Sequence, residues 1–118
     1  MPATVVAAMS GTVTPMLVAA TTGSGTVITP PSSFKFHNFL ITGAVGVTSG
    51  AVQIETSNDP NDAGTWAPVT ASPTTVVATA DVLVTFTGLL NFIRARVSTT
   101  IAGGGAPSVT VNYEGGKS

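Results

Sequence analysis

The sequence predicts an all-β protein, an antiparallel sandwich or barrel in one domain, and three observations predict it. The first is composition: of 118 residues, 20 are Thr and 16 are Val, types that suit the pleated surface of a sheet, against only five Leu and five Ile. The second is punctuation, because 13 Gly and 8 Pro cut the chain into short runs. The third is apolar/polar alternation inside those runs, which recur at roughly 8–12 residues with no stretch of helical period.

Taken in order, the strands are expected at 12–20, 25–29, 34–42, 51–57, 67–70, 75–79, 82–87, 92–99 and 108–113, each bounded by Gly, Pro, Asn, Asp or Ser. The first two lie in a segment of their own character. Residues 1–33 carry no charge and no aromatic ring, and are interrupted by Gly11, Pro15, Gly23, Gly25, Pro30 and Pro31. Such a segment is an arm or an edge strand ahead of a sandwich over 34–118. An uncharged, β-prone arm left in water is an aggregation hazard. It is therefore expected to be covered by its own sandwich, a sister subunit or a larger assembly, with Val5, Val6, Val13 and Leu17 as partner contacts and the segment from Pro2 to Pro31 ordering on assembly.

Alternation in the later strands assigns their inner faces. Val82, Val84 and Phe86 oppose Leu83, Thr85 and Thr87; Ile93, Ala95 and Val97 oppose Arg94 and Arg96; Val109, Val111 and Tyr113 oppose Thr110 and Asn112. The expected core is Phe34, Phe36, Phe39, Ile41, Val52, Ile54, Val84, Phe86, Ile93, Val97, Val109 and Val111, with Trp66 and Leu89 plugging its ends. The triplet Gly103-Gly104-Gly105 reads as a hairpin loop.

Composition also excludes classes of function. Five acidic and four basic residues leave a net charge of −1, with no basic patch able to neutralise a run of phosphates, so no nucleic-acid partner is expected. The absence of Cys removes disulfides, thiolate catalysis and Cys-based zinc sites. The apolar opening of the chain fails as a membrane span, because Pro2, Gly11 and Pro15 interrupt it and its longest apolar run, 5–9, is far short of the ~20 residues a bilayer needs. With no positively charged start it is not a secretory signal either, so the chain is expected to be kept in a cytoplasm or to be a mature fragment.

Four groups of residues could carry chemistry. His37, the sole histidine, falls opposite Phe34 and Phe36 and is expected to be an exposed strand residue; Ser32 and Ser33 are near, but nothing marks an oxyanion hole. The segment from Glu55 to Trp66 holds three of the five acids, and Asn58, Asp59, Asn61 and Asp62 are oxygen donors of the kind calcium takes. The same residues build ordinary tight turns, and a hairpin turn is the expected reading. Trp66 with Asn58, Asp59 and Asp62 forms a candidate glycan-binding set. Arg94 and Arg96 project from one face of one strand, two residues apart, placed to pair with Glu55 or Asp81 or to dock an acidic partner. No base, nucleophile and metal set comes together, so no enzyme and no cofactor are expected.

The strings Val52-x-Ile54-Glu55-x-Ser57-x-Asp59, Trp66-x-Pro68-Val69, Phe86-x-Gly88-Leu89, Ile93-Arg94-Ala95-Arg96-Val97-Ser98 and Val109-Thr110-Val111-x-Tyr113-x-Gly115-Gly116 resemble small structural proteins of tailed-bacteriophage virions. Among these the chain is most similar to capsid decoration, or cement, proteins of β-sandwich or jelly-roll fold, over roughly its C-terminal half. The resemblance implies a jelly-roll-like sandwich that binds the outside of a phage capsid shell and ties major capsid proteins together. It also implies a homo-oligomer, dimer or trimer, found on the virion surface and in the host cytoplasm before assembly. Similar strings occur in phage tail and neck proteins and in adhesion modules, which keeps a carbohydrate-binding or adhesin-type sandwich as the alternative.

Overall fold

Among the described residues ten strands, β1 (Val5–Ala7), β2 (Thr14–Ala20), β3 (Val27–Thr29), β4 (Phe36–Gly43), β5 (Val47–Ser57), β6 (Ala67–Pro68), β7 (Thr74–Thr75), β8 (Asp81–Thr87), β9 (Phe92–Gly103) and β10 (Val109–Gly116), form two sheets in the computed structural model. The structure describes residues 5–7, 13–59, 66–70 and 72–116, and no helix occurs among them. One sheet runs β1-β3-β9-β5-β6, with β7 also against β5; the other runs β2-β10-β4-β8. All pairings are antiparallel except β1 with β3. The protein is an antiparallel β-sandwich.

The inner faces of the two sheets meet in a single core. Phe39, Ile41, Val109, Val111 and Tyr113 come from the centre of one sheet and Val52, Ile54, Ile28, Ile93 and Ala95 from the other, each at most 2% exposed. Alternation puts them there, since successive side chains of a strand point to opposite faces.

Residues 14–29 are part of this body. Met16 and Leu17 of β2 and Val27 and Ile28 of β3 are buried in the core, β2 pairs with β10, and β3 pairs with β9. This corrects the expectation that the segment from Pro2 to Pro31 orders on assembly, for residues 14–29. Leu17, expected at a partner surface, is 5% exposed and belongs to the core instead.

Three further expectations are corrected. Phe36 is 42% exposed, because β4 starts at this residue and its inward phase begins at His37; Phe34 reaches the core from the turn before the strand, where alternation does not apply. Leu89 is exposed and Leu90 buried, because Gly88, with φ 139°, redirects the chain before either residue. Trp66 is half-buried against the outer face of the first sheet and is not part of the core cluster.

Candidate functional site

The long β5–β9 ladder sets Glu55 opposite Arg94 and Gln53 opposite Arg96. These four side chains share the face turned from the core, since Val52, Ile54, Ile93, Ala95 and Val97 take the inner one. Arg94 donates from Nε to Glu55 Oε1 at 2.9 Å, and Arg96 donates from Nε to Glu55 Oε2 at 2.9 Å. Of the two acids within the predicted reach of the arginines, Glu55 takes both; Asp81 instead accepts the Thr42 hydroxyl at 2.7 Å. The Glu55 side chain is only 7% exposed, whereas those of Arg94 and Arg96 are 21% and 40% exposed. Among the described residues one carboxylate sits between two guanidiniums, and the more exposed of these, Arg96, meets solvent.

Neighbouring groups hold this triad in place. The Arg94 guanidinium lies 4.4 Å from the centre of the Trp66 ring, a cation–π contact that fixes both. Gln53 is buried and its Nε2 donates to the Ile54 carbonyl at 3.1 Å and the Thr70 hydroxyl at 3.1 Å, tying the segment after β6 onto β5. The arrangement presents a pre-oriented cationic surface to an acidic group; charge-assisted contacts with Arg are strong when the guanidinium is already held.

His37 has a different role from the one its sequence context suggests. It is 1% exposed, and this corrects the expectation of an exposed strand residue: the inward phase of β4 is His37, Phe39, Ile41. Its Nε2 donates to the Gly88 carbonyl at 2.8 Å, so Nδ1 accepts from the Tyr113 hydroxyl at 2.7 Å, and both ring nitrogens are satisfied in the neutral form. Burial lowers the His37 pKa from its ordinary value, against the opposing effect of the Gly88 carbonyl. Burial likewise pushes the Tyr113 phenol up to about 12. A ring locked at both nitrogens in the core is not placed to act as a general base on a bound substrate. Ser32 and Ser33 are exposed in the turn before β4.

The acidic segment is described in part. Asn58 accepts from the Asn91 amide at 2.7 Å, and the Asp59 N–H donates to the Ser57 hydroxyl at 3.0 Å, while β5 and β6 pair antiparallel on either side of the connection. Asn61 and Asp62 lie outside the described residues. Among the described residues no group of three His, Asp or Glu side chains is placed to hold a metal ion. The glycan reading loses one face of its aromatic anchor, since Arg94 already covers the Trp66 ring. Val13 is exposed, and Val5 and Val6 lie in β1 at the edge of the first sheet.

A hollow of about 620 Å³ along β2 and the start of β3 is lined by Met16, Leu17, Val18, Thr22, Ser24 and neighbours, none of them titratable. No described helix is long and apolar enough to cross a membrane. The residues that sequence reasoning missed are Tyr113 and Gly88 as partners of His37. A signal was present: a buried Tyr needs a hydrogen-bond partner, and the strand containing the only histidine is adjacent. Compared with known protein families, curated proteins and solved structures, the chain matches none.

Proposed function

We propose that this chain is a non-enzymatic virion structural protein that docks on the outside of a phage capsid shell and bridges neighbouring major capsid proteins. The observation that carries the reading is the Arg94–Glu55–Arg96 triad with Trp66 packed on Arg94, in which, among the described residues, two guanidiniums flank one carboxylate on the outer face of one sheet. Such a patch suits an acidic surface on a partner, where few charges must serve for specificity. The resemblance of the C-terminal half to decoration proteins supports the same reading.

Strand order supports the finer fold that goes with it. Setting aside β1 and β6, the sheets run β2-β10-β4-β8 and β3-β9-β5-β7, the order produced by winding a long hairpin into two Greek keys. We take this as a jelly roll, an architecture used by capsid and lectin domains alike, so the fold alone does not choose between shell and glycan. The covered face of Trp66 favours the shell.

Co-sedimentation of the purified chain with shells assembled from the cognate major capsid protein tests the proposal. Saturable binding is expected, reduced more than about tenfold by Arg96→Gln, with the far-UV spectrum unchanged. Shells that leave the chain in the supernatant overturn it, and a glycan array that then captures the chain through Trp66 selects the alternative.

A further inference from the structure

The four-stranded sheet ends at β8, and this edge differs from those at β2, β6 and β7. A strand at a sheet edge exposes alternate backbone N–H and C=O groups that will pair with another strand, and proteins blunt such edges with Pro, charge, bulges or brevity. β2, at the opposite end of the same sheet, carries Pro15, a positive φ at Ala19 and two register shifts against β10, and its Met16 carbonyl is already taken by the Thr26 N–H. β6 and β7, at one edge of the other sheet, are two residues long, with Pro68 in one and Pro73 before the other.

β8 has none of these devices. It pairs with β4 through seven consecutive residues without a shift and contains no Pro, Gly or Lys, and its single charge, Asp81, is at its first position. Among the described residues no strand pairs with its outer side. Its inward row, Val82, Val84 and Phe86, is only partly buried, where the rows of β4 and β10 beside it are closed. The core is therefore open along this flank, and Leu83, on the other face, is 59% exposed.

We infer that β8 pairs antiparallel with β8 of a second copy of this chain, about a two-fold axis at Val84, joining two four-stranded sheets into one. The sequence of the strand is self-complementary in that register. Val84 meets Val84, Val82 meets Phe86, Leu83 meets Thr85, and Asp81 meets Thr87, whose hydroxyl can donate to the carboxylate. Residues of one parity face each other, so the apolar inner rows become continuous and cover each other's open flank, and no like charges are opposed. A closed, isologous contact of this kind ends at the dimer.

The inference rests on the reading of the chain as self-associating, and not on a shell as its partner. A monomeric chain that still co-sediments with shells overturns the β8 pairing alone; a β8 dimer that ignores shells overturns the docking alone.

The test exploits the opposition of positions 83 and 85. Both are exposed in the single copy, so Leu83→Lys with Thr85→Lys leaves the fold intact but sets lysine against lysine in the dimer. Light scattering after gel filtration is expected to give twice the chain mass of 11.7 kDa for the unsubstituted protein. The Lys pair, and separately Leu83→Glu with Thr85→Glu, should weaken the dimer more than about 100-fold with unchanged far-UV spectra. An equimolar mixture of the Lys and Glu proteins should restore it. Amide exchange in β8 should quicken in the Lys protein while β4 stays protected. A monomeric unsubstituted chain, a Lys protein that remains dimeric, or a mixture that remains monomeric overturns the pairing.

Discussion

The buried His37–Tyr113 pair turns one sequence position into a measurable pH response. The unfolded chain protonates His37 near pH 6.5, whereas the folded chain does so only at lower pH because burial disfavours the charged ring. Stability contributed by the neutral ring is thus complete above about pH 6.5 and lost as pH falls through the lowered folded value. Tyr113 behaves in the opposite sense: its phenol ionises near pH 10 when unfolded and about 12 when folded, so its contribution is complete below about pH 10 and lost as pH rises beyond it. Urea midpoints should fall between pH 7 and pH 5, and His37→Gln, whose amide does not titrate, should fall by less; an equal fall would assign the effect to the carboxylates. The same reasoning on satisfied groups applies to two outer-face residues. Glu55→Gln leaves two guanidiniums side by side without their shared carboxylate, and should cost about 1–3 kcal/mol in chemical denaturation. Ser98 Oγ is buried with no hydrogen-bond partner among the described residues, so Ser98→Ala should be neutral or stabilising by up to about 1 kcal/mol.

Strands show where local pattern is enough and where partners decide. The inward residues of β9 and β10, and those of β5 from Val52 on, follow directly from alternation, because each strand is long and keeps an unshifted register there against one long neighbour, β5 with β9 and β10 with β4. At β4 the pattern was ambiguous: Phe34, Phe36 and Phe39 cannot all share one face of a continuous strand, and whether Phe36 or His37 turns inward depends on where the strand begins. That start is fixed by β10, whose Gly116 pairs with Phe36 and whose Gly115 lies opposite His37. No reading of β4 by itself contains this information. The triad on the outer face was legible as to its members, since Arg94, Arg96 and Glu55 were named by type and spacing, but the choice of Glu55 over Asp81 depended on which strands became neighbours. Gly115 gives this coupling a test. A Cβ there would overlap the Tyr113 hydroxyl and press on the Phe34 ring, so Gly115→Ala must displace the group that holds His37. A loss of about 1–3 kcal/mol is expected, together with a changed His37 ring resonance in NMR; an unmoved resonance would show that β10 can yield without disturbing the pair.

At the scale of the whole molecule, an uncharged first third has two physical meanings, and deletion separates them. A detachable arm can be removed with the sandwich left folded, whereas strands built into both sheets cannot. In this structure Met16, Leu17, Val27 and Ile28 fill the core from β2 and β3, while β10 and β9 depend on these strands for pairing on one side. Each such side chain contributes about 2 kcal/mol when buried, against a total margin of about 5–15 kcal/mol for a domain. Removing residues 1–31 strips all four side chains and exposes two sheet edges at once, so the shortened chain should lose its cooperative thermal transition by circular dichroism and sediment as aggregate. The low charge of the remaining residues sharpens that outcome, because only nine charged side chains in the full chain oppose association through the newly exposed strands. A truncated chain that melts cooperatively near the temperature of the full one would return residues 1–31 to the status of an arm and remove β2 and β3 from the core in solution.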